Sequence, residues 1–425
     1  MKKIRIGVLG GFRGSSMINF LKDDDVAEVV AICDKSDEVL SAQKECNEGL
    51  NIIYLKDFDD MIKLDIDAVV LANYANEHAP FAIKALNAGK HVFSEVLPVQ
   101  TLSEAVELVE TVEKTGLIYA YGENYCYMPA TYEMKKLYRN GVLGEFEYGE
   151  GEYIHNCEPI WHDITYGDKN HWRNLMYSTF YCTHSIGPLI HITGLRPVSV
   201  VGFESTLNER NLRDGAKGGQ FAVEMITLEN GGIIRSTHGF LYKNSIWYSV
   251  YGGKGRAESS REDTGEGGEK LYLNADKFSG EYKGEKVKAY YPEIDEKAKS
   301  FGHGGSDYYS MYNFVKKIRG DNDADIIDVY EALNMFLPGL MAYRSILKGG
   351  VTVEIPNMKD KAARDKYRFD TACVDKKIAG DMLLPTSKLG TPDIDDKVYE
   401  YMRNKYLDGV KNGDEYRRGV YKKSK

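Results

Sequence analysis

The chain has 425 residues, 43% hydrophobic and 28% charged, which is the profile of a folded globular protein with material for two cores. Its formal net charge of −9 argues against nucleic acid and against an anionic membrane surface, and no apolar run reaches membrane-spanning length. With a first strand from Lys3, no signal peptide is expected. Six cysteines without C-x-x-C or zinc spacing suit reduced thiols, so a cytoplasmic protein is expected.

Lys3 to Val8 alternates charged and branched apolar residues. It breaks into Gly10-Gly11-Phe12-Arg13-Gly14-Ser15-Ser16 and resumes as Met17-Ile18-Asn19-Phe20-Leu21: a strand, a glycine turn and a helix start. Val26 to Cys33 is a second apolar strand, and it ends in Asp34. That acid falls roughly 20 residues past the glycines, the spacing of a dinucleotide site. Glycines let the backbone approach a pyrophosphate, the helix N-terminus offers N–H groups, and a carboxylate accepts both ribose hydroxyls. Gly10, Gly11, Phe12, Arg13, Gly14 and Asp34 are the candidate cofactor residues. Asp34 favours NAD over NADP, because its charge repels a 2′-phosphate. The turn is one residue short of G-x-G-x-x-G, with Phe12 at the middle glycine's place.

Asp67 to Ala72 reads as a buried strand, and Ala79 to Ala88 as a helix closed by Gly89. His91 to Ser94, Ser103 to Thr115 and Leu117 to Tyr121 continue the alternation as strand, helix and strand. Residues 1–125 therefore predict an α/β Rossmann domain with a doubly wound parallel sheet. From Gly144 the pattern changes. Glu145–Ile154, Val198–Glu204, Phe221–Leu228, Gly232–Phe240 and Ser245–Tyr251 read as strands without intervening helices. Residues 126–356 thus predict an α+β substrate domain with a large, mostly antiparallel sheet. Glu258 to Lys288 reads as surface loop and hairpin. Helices at Asp307–Arg319 and Asp328–Lys348 are expected to return onto the first domain. Residues 357–425 form a polar, lysine-rich C-terminal extension broken by Pro385 and Pro392, ending in the helix-prone Asp395–Asn412. A loosely held tail is the default expectation for it, a docking arm the alternative.

A dinucleotide domain followed by an antiparallel sheet resembles the Gfo/Idh/MocA oxidoreductases. His78, Ala85-Leu86-Asn87-Ala88-Gly89-Lys90-His91-Val92 and Gly141-Val142-Leu143-Gly144-Glu145 stand where that family has recurrent segments. Its dehydrogenases carry Glu-Lys-Pro after the Ala-Gly-Lys-His-Val strand, the lysine assisting hydride chemistry. Here the text is Glu95-Val96-Leu97-Pro98, without the lysine, and Phe180 takes the family's aspartate position before His184. The altered segments resemble glycoside hydrolase family 109, the NAD-dependent glycosidases of the same superfamily. The matching segments are Tyr181-Cys182-Thr183-His184-Ser185-Ile186-Gly187-Pro188, Glu123-Asn124, Tyr153-Ile154-His155, His303-Gly304-Gly305 with Asp307, and Asp328 to Ala332. The resemblance implies NAD as cofactor, and adds Asn73, His78, Glu95, Glu123 and Asn124 to its candidate contacts.

It also implies glycoside cleavage by transient oxidation at C3, which acidifies C2–H and permits elimination at C1, water addition and re-reduction. Such a cycle needs two bases and a group that steadies an enolate. Tyrosine and histidine suit those tasks. Tyr181 and His184 lie three apart at a predicted helix start, so one turn aims both at the same ligand. Tyr153 and His155 alternate on one strand and face the same side. These four are the candidate catalytic residues. Trp161, His162, Trp172, Arg173 and His303 are candidates for the sugar, through ring stacking and charge-assisted hydrogen bonds.

The plain alternatives are core histidines for His155 and His184, packing for Tyr153 and Tyr181, loop anchors for Trp161, His162, His171, Trp172 and Arg173, a flexible turn for His303, and a structural role for His78. No metal is expected, since Asp163, Asp168 and the neighbouring histidines lack ligand spacing. The expected partner is a small glycoside or sugar, bound by a homo-oligomer, dimer or tetramer. A plain sugar dehydrogenase and a catalytically idle NAD-binding sensor are the alternatives.

Overall fold

Short apolar runs, the first two closed by Gly10 and Asp34, become six parallel strands over the first 121 residues. They are β1 (Ile4–Leu9), β2 (Ala27–Cys33), β3 (Ile53–Leu55), β4 (Ala68–Leu71), β5 (His91–Ser94) and β6 (Tyr119–Tyr121). The order across the sheet is β3-β2-β1-β4-β5-β6. The chain reverses direction of travel between β1 and β4, which opens a crevice at their C-terminal ends. Helices α1 (Ser15–Asp23), α2 (Asp37–Cys46), α3 (His78–Asn87) and α4 (Leu102–Thr115) connect the strands. In α4, Thr101 and Glu104 form a capping box and Gly116 closes the helix at φ 65°. The computed structural model describes residues 2–262, 270–275 and 287–412.

The second sheet has nine strands: β7 (Phe146–Ile154), β8 (Pro197–Glu204), β9 (Phe221–Leu228), β10 (Ile233–Gly239), β11 (Ser245–Gly252), β12 (Gly255–Ser259), β13 (Leu271–Asn274), β14 (Lys288–Tyr290) and β15 (Val353–Glu354). Their order is β14-β13-β12-β11-β7-β10-β9-β8-β15. Only the β7–β10 pair is parallel among the described residues; every other pair is antiparallel. Alternation along β9 buries Ala222, Glu224, Ile226 and Leu228 on one face and turns Met225 outward. The outer face exposes Phe203, Met225, Ile233 and Tyr251.

Helices α5 (Pro129–Arg139), α6 (Thr183–Thr193), α7 (Ser306–Ile318), α8 (Val329–Leu347) and α9 (Asp396–Lys411) complete the framework. Both α6 and α8 are apolar on nearly every side because both are sandwiched, α6 between the second sheet, α5 and α8. The two late helices were expected on the first domain, and they divide. Met311, Phe314 and Val315 of α7 join the core under the first sheet. By contrast, α8 packs chiefly against β8 and α6 of the second sheet, touching β6 and α4 along one side.

The described part of the C-terminal extension, residues 357–412, is docked, contrary to the expectation of a loose tail. Arg364 and Arg368 form bidentate pairs with Glu113 and Glu110 of α4, and Arg344 does the same with Asp370. These six charges look like ordinary solvated residues in the sequence. Their pairing is set by tertiary placement. Most of the expected loop at 258–288 lies outside the described residues; its described parts include the end of β12, β13 and the start of β14. No helix among the described residues is long and apolar enough to cross a membrane.

A candidate active site between the two sheets

A cavity of about 1280 Å³ runs from the crevice of the first sheet to the mouth of the second. Gly10, Phe12, Arg13, Asp34, Asn73, Glu95 and Asn124 line one side; Tyr153, His155, Trp172, Arg173, Tyr181 and His184 line the other, with His303 at its edge. Pockets for one drug-sized ligand span about 300–1,000 Å³, so this cavity has room for a dinucleotide and a sugar together.

At the first sheet the turn between β1 and α1 is forced by close approach. Gly10 has φ 92°, and a Cβ there would stand 2.4 Å from the carbonyl oxygen of Ala72. The Asp34 carboxylate accepts the Gly11 N–H at 2.8 Å and the Ser36 N–H at 2.9 Å, one on each oxygen. Each oxygen keeps a second acceptor position for a ribose hydroxyl. Burial raises the Asp34 pKa, against those two N–H groups and Lys35. A half-buried carboxylate at the end of β2, beside a glycine turn and a helix N-terminus, is the donor and acceptor set a dinucleotide needs. The residues present fit NAD.

Arg13 is held more firmly than a glycine-turn residue need be. Its guanidinium makes two 3.0 Å bonds to Asp307 of α7 and an ion pair of 2.7 Å with Glu95. Ser16, Asn124 and His303 also converge on Asp307, at 2.9, 3.0 and 3.2 Å. Against the push of burial, Arg13 and His303 hold the Asp307 carboxyl well below its usual range. In return, Asp307 raises His303. His303 itself sits at φ 55°, an unusual conformation for a side-chain-bearing residue.

At the second sheet the centre is His184, on the first turn of α6. Its ring lies 4.5 Å from that of Tyr125, 4.7 Å from Tyr153 and 5.4 Å from Tyr181. Behind it Glu123, fully buried, accepts His184 Nδ1–H at 2.8 Å, Thr183 Oγ1–H at 2.8 Å and the Tyr125 N–H at 3.2 Å. A carboxylate on Nδ1 fixes the tautomer and leaves Nε2 as acceptor. Tyr153 Oη donates to His155 Nδ1 at 3.2 Å. Burial raises the Tyr153 phenol well above its ordinary range and lowers His155, so the pair is phenol and neutral imidazole near pH 7. Arg173 stacks over Trp172 at 4.6 Å and over Tyr181 at 5.7 Å.

Several expected residues lie elsewhere. Trp161 is 3% exposed and donates Nε1–H to Asn174; with His162, 1% exposed, it packs behind the cavity wall. Both sit in a short helical turn whose apolar side faces inward, which the loop reading missed. His78 is buried against the Leu97 carbonyl at 2.9 Å, outside the cavity lining, and burial lowers its pKa to about 4. Glu123 stands behind His184 rather than beside the cofactor groove. Gly11 and Gly14 shape the turn from behind while Gly10, Phe12 and Arg13 face the cavity.

The sequence reading missed Tyr125, Tyr74, Tyr166, His238 and the α9 residues Tyr406, Leu407 and Val410, all of which line the cavity. Tyr125 lies one residue past the Glu123-Asn124 segment, a signal that was available. The α9 residues gave none, because nothing local marks a distant helix as a cavity wall. No group of three or more potential metal-ligating side chains occurs among the described residues.

Two family models match the chain. One, described as "Oxidoreductase family, NAD-binding Rossmann fold", covers residues 4–123; the other, "Glycosyl hydrolase 109, C-terminal domain", covers residues 205–363. A glycosyl hydrolase family 109 protein of Solibacter usitatus is 25% identical over 399 residues, spanning 83% of this chain and 88% of its own. Glycosyl hydrolase family 109 protein 1 of Bacteroides thetaiotaomicron is 27% identical over 398 residues, 84% of this chain and 85% of its own. Among solved structures, aldose-aldose oxidoreductase from Caulobacter crescentus, complexed with glycerol, superposes with a TM-score of 0.68. It is 19% identical and covers 83% of this chain and all of its own. An oxidoreductase from Agrobacterium radiobacter, in complex with NAD+, L-tartaric acid and magnesium, gives 0.66 at 16% identity, covering 83% of this chain and 99% of its own. At these identities the solved structures speak for the fold.

Proposed function

We propose that this chain, which stands in the Gfo/Idh/MocA superfamily close to glycoside hydrolase family 109, is an NAD-dependent glycosidase acting on small glycosides through transient oxidation at C3. The observation that carries this reading is the cluster around His184: three phenols ringed about one carboxylate-held histidine, with a second imidazole, His155, on Tyr153, at the mouth of a fitting dinucleotide groove. Bound NAD supplies reversible hydride removal from a ring carbon, the change that makes the neighbouring C–H acidic. Gly10, Phe12, Arg13, Asp34 and Asn73 would hold it, with Glu95 and Asn124 tied to the same network.

The chain's own residues then manage protons. His184, oriented by Glu123, accepts one at Nε2 from the substrate. Tyr153 and His155 form a second donor–acceptor pair for the carbon acid and the departing aglycone. Arg173 places a cation against Tyr181, where negative charge develops on substrate or phenol oxygen. Trp172, backed by Arg173, offers a face for the sugar ring. The lysines that line the cavity, Lys35, Lys56 and Lys84, belong to its Asp34 end. Proton transfer at the His184 end therefore falls to phenols and imidazoles.

The test is a panel of aryl glycosides incubated with purified protein and no added cofactor, following phenol release and NADH absorbance together. Catalytic phenol release without net NADH is expected. Stoichiometric NADH would make the protein a dehydrogenase, and silence across a broad panel would leave an NAD-binding sensor. Tyr181→Phe is expected to lower turnover about 10³-fold with NAD still bound; unchanged turnover removes Tyr181 from the mechanism.

A further inference from the structure

Helix α9 lies beyond the residues either family model matches, yet Arg403, Tyr406, Leu407 and Val410 face the cavity. The helix is seated, not adjacent by chance. At Gly167 a Cβ would stand 2.4 Å from the Arg403 Cα, so only glycine admits the helix at this separation. Arg403 donates to the Tyr166 carbonyl at 2.7 Å, and Tyr399 donates to the Gly215 carbonyl at 3.0 Å. Tyr399, Met402 and Tyr406 are buried along one side of α9.

A continuous run of rings leads from α9 to the ribose-binding acid. Tyr406 meets Tyr166 edge-on at 5.6 Å, Tyr166 meets His171 at 5.9 Å, and His171 meets Tyr74 at 4.8 Å. The Lys35 ammonium, next in sequence to Asp34, sits 3.6 Å above the Tyr74 ring. The Asp34 charge acts on both the Tyr74 and Tyr166 phenols, which places both near it. This bridge therefore crosses the groove at the Asp34 end, joining the first sheet, the loop of residues 157–175 and the C-terminal extension.

We infer that Tyr166 of that loop and Tyr406, Leu407 and Val410 of α9 form a subsite for the adenosine half of the dinucleotide, and that this cap keeps the cofactor from leaving between turnovers. A purine is a flat apolar ring with polar edges, and an aromatic–aliphatic wall beside a ribose-binding carboxylate suits it. Leaving then requires α9 to lift, which breaks the Arg403 and Tyr399 bonds as well as the ring contacts. The inference rests on the NAD reading above.

The experiment measures release of radiolabelled NAD from full-length protein into excess unlabelled NAD, beside the affinity for nicotinamide mononucleotide, which lacks adenosine. Tyr406→Ala and Leu407→Asp are compared with the unaltered chain. Leu407 is 37% exposed, so its substitution changes the cavity wall without hollowing the core. NAD release is expected to quicken at least tenfold in both variants, with mononucleotide affinity unchanged. Unchanged NAD release in Leu407→Asp overturns the inference, whatever Tyr406→Ala does to folding. Equal weakening of NAD and the mononucleotide also overturns it, since the effect would then not be adenosine-specific. If the unaltered protein binds the mononucleotide but not NAD, the subsite alone fails; if it binds neither, the NAD reading fails with it.

Discussion

The two ends of the cavity are built by different means. At the first sheet, the groups offered to the ribose and pyrophosphate lie within residues 10–34, a turn whose backbone is bent by Gly10 and an acid that follows the next strand. Asn73, Glu95 and Asn124 are added from later strand ends. At the second, His184, Glu123, Tyr125, Tyr153 and Arg173 come from four separate segments and meet only through packing. The buried charges at the first end, Glu95 and Asp307, are paired with Arg13. The second holds Glu123 fully buried, and Glu224 is fully buried on the inward face of β9. A groove made of backbone is cheap to fold and hard to specialise, whereas a cluster of buried ionisable groups is costly and chemically specific.

The largest expected effect that separates them is at Glu123. Its two oxygens accept three donors, from Thr183, His184 and the Tyr125 backbone. Glu123→Gln replaces the acceptor facing Thr183 by a donor, so the Thr183 hydroxyl must turn to accept, and Nδ1–H of His184 is no longer fixed by charge. Turnover should fall about 10²-fold and its pH profile should move, while NAD release stays as in the unaltered protein. A matching rise in NAD release would mean that the two ends are not separable.

A smaller effect tests the cost carried by the second sheet. Burial pushes Glu224 up to about 8, from an ordinary value of 4.5. Between those values the folded protein binds more protons than the unfolded chain. The stability present below pH 4.5 is therefore lost as pH rises, through about 8. At pH 7 the loss is about 3 kcal/mol. Glu224→Gln, which stays neutral, should flatten the dependence of stability on pH and raise Tm at pH 8, by about 1–2 kcal/mol in stability after the cost of seating the amide. Denaturant unfolding from pH 5 to 8 reads both. Parallel curves for the two proteins would show that the carboxyl is not buried as described.

This contrast also explains what the sequence disclosed. The first sheet, its glycine turn and Asp34 were legible because each depends on local spacing, and the nine-stranded sheet because alternation without helices has few other meanings. Tyr181, His184, Tyr153 and His155 were nominated by spacing and resemblance, and the cavity brings all four to one wall. Trp161 and His162 were misplaced because a short amphipathic turn and an open loop look alike over four residues. Tyr406 and Tyr166 were invisible for a deeper reason. They stand 240 residues apart in the chain, and nothing short of the fold brings them into contact.

The smallest expected effect lies at Asp34 and sharpens the claim that the first end relies on backbone. Asp34→Asn retains an acceptor for one of the Gly11 and Ser36 N–H groups, so the turn should survive. What it removes is the charge, and with it the stronger form of the bonds to the ribose hydroxyls. Affinity for NAD should fall about tenfold, equivalent to about 1.4 kcal/mol. The preference for NAD over NADP should narrow by a similar factor, because the repulsion of a 2′-phosphate goes with the charge. Titration of both dinucleotides against the apo protein gives the two numbers. A preference that does not narrow would mean that the 2′ position is read by the shape of the turn rather than by the acid. A loss of binding far beyond tenfold would mean that the carboxylate holds the turn itself, and that the backbone at this end is less independent of side chains than its glycines suggest.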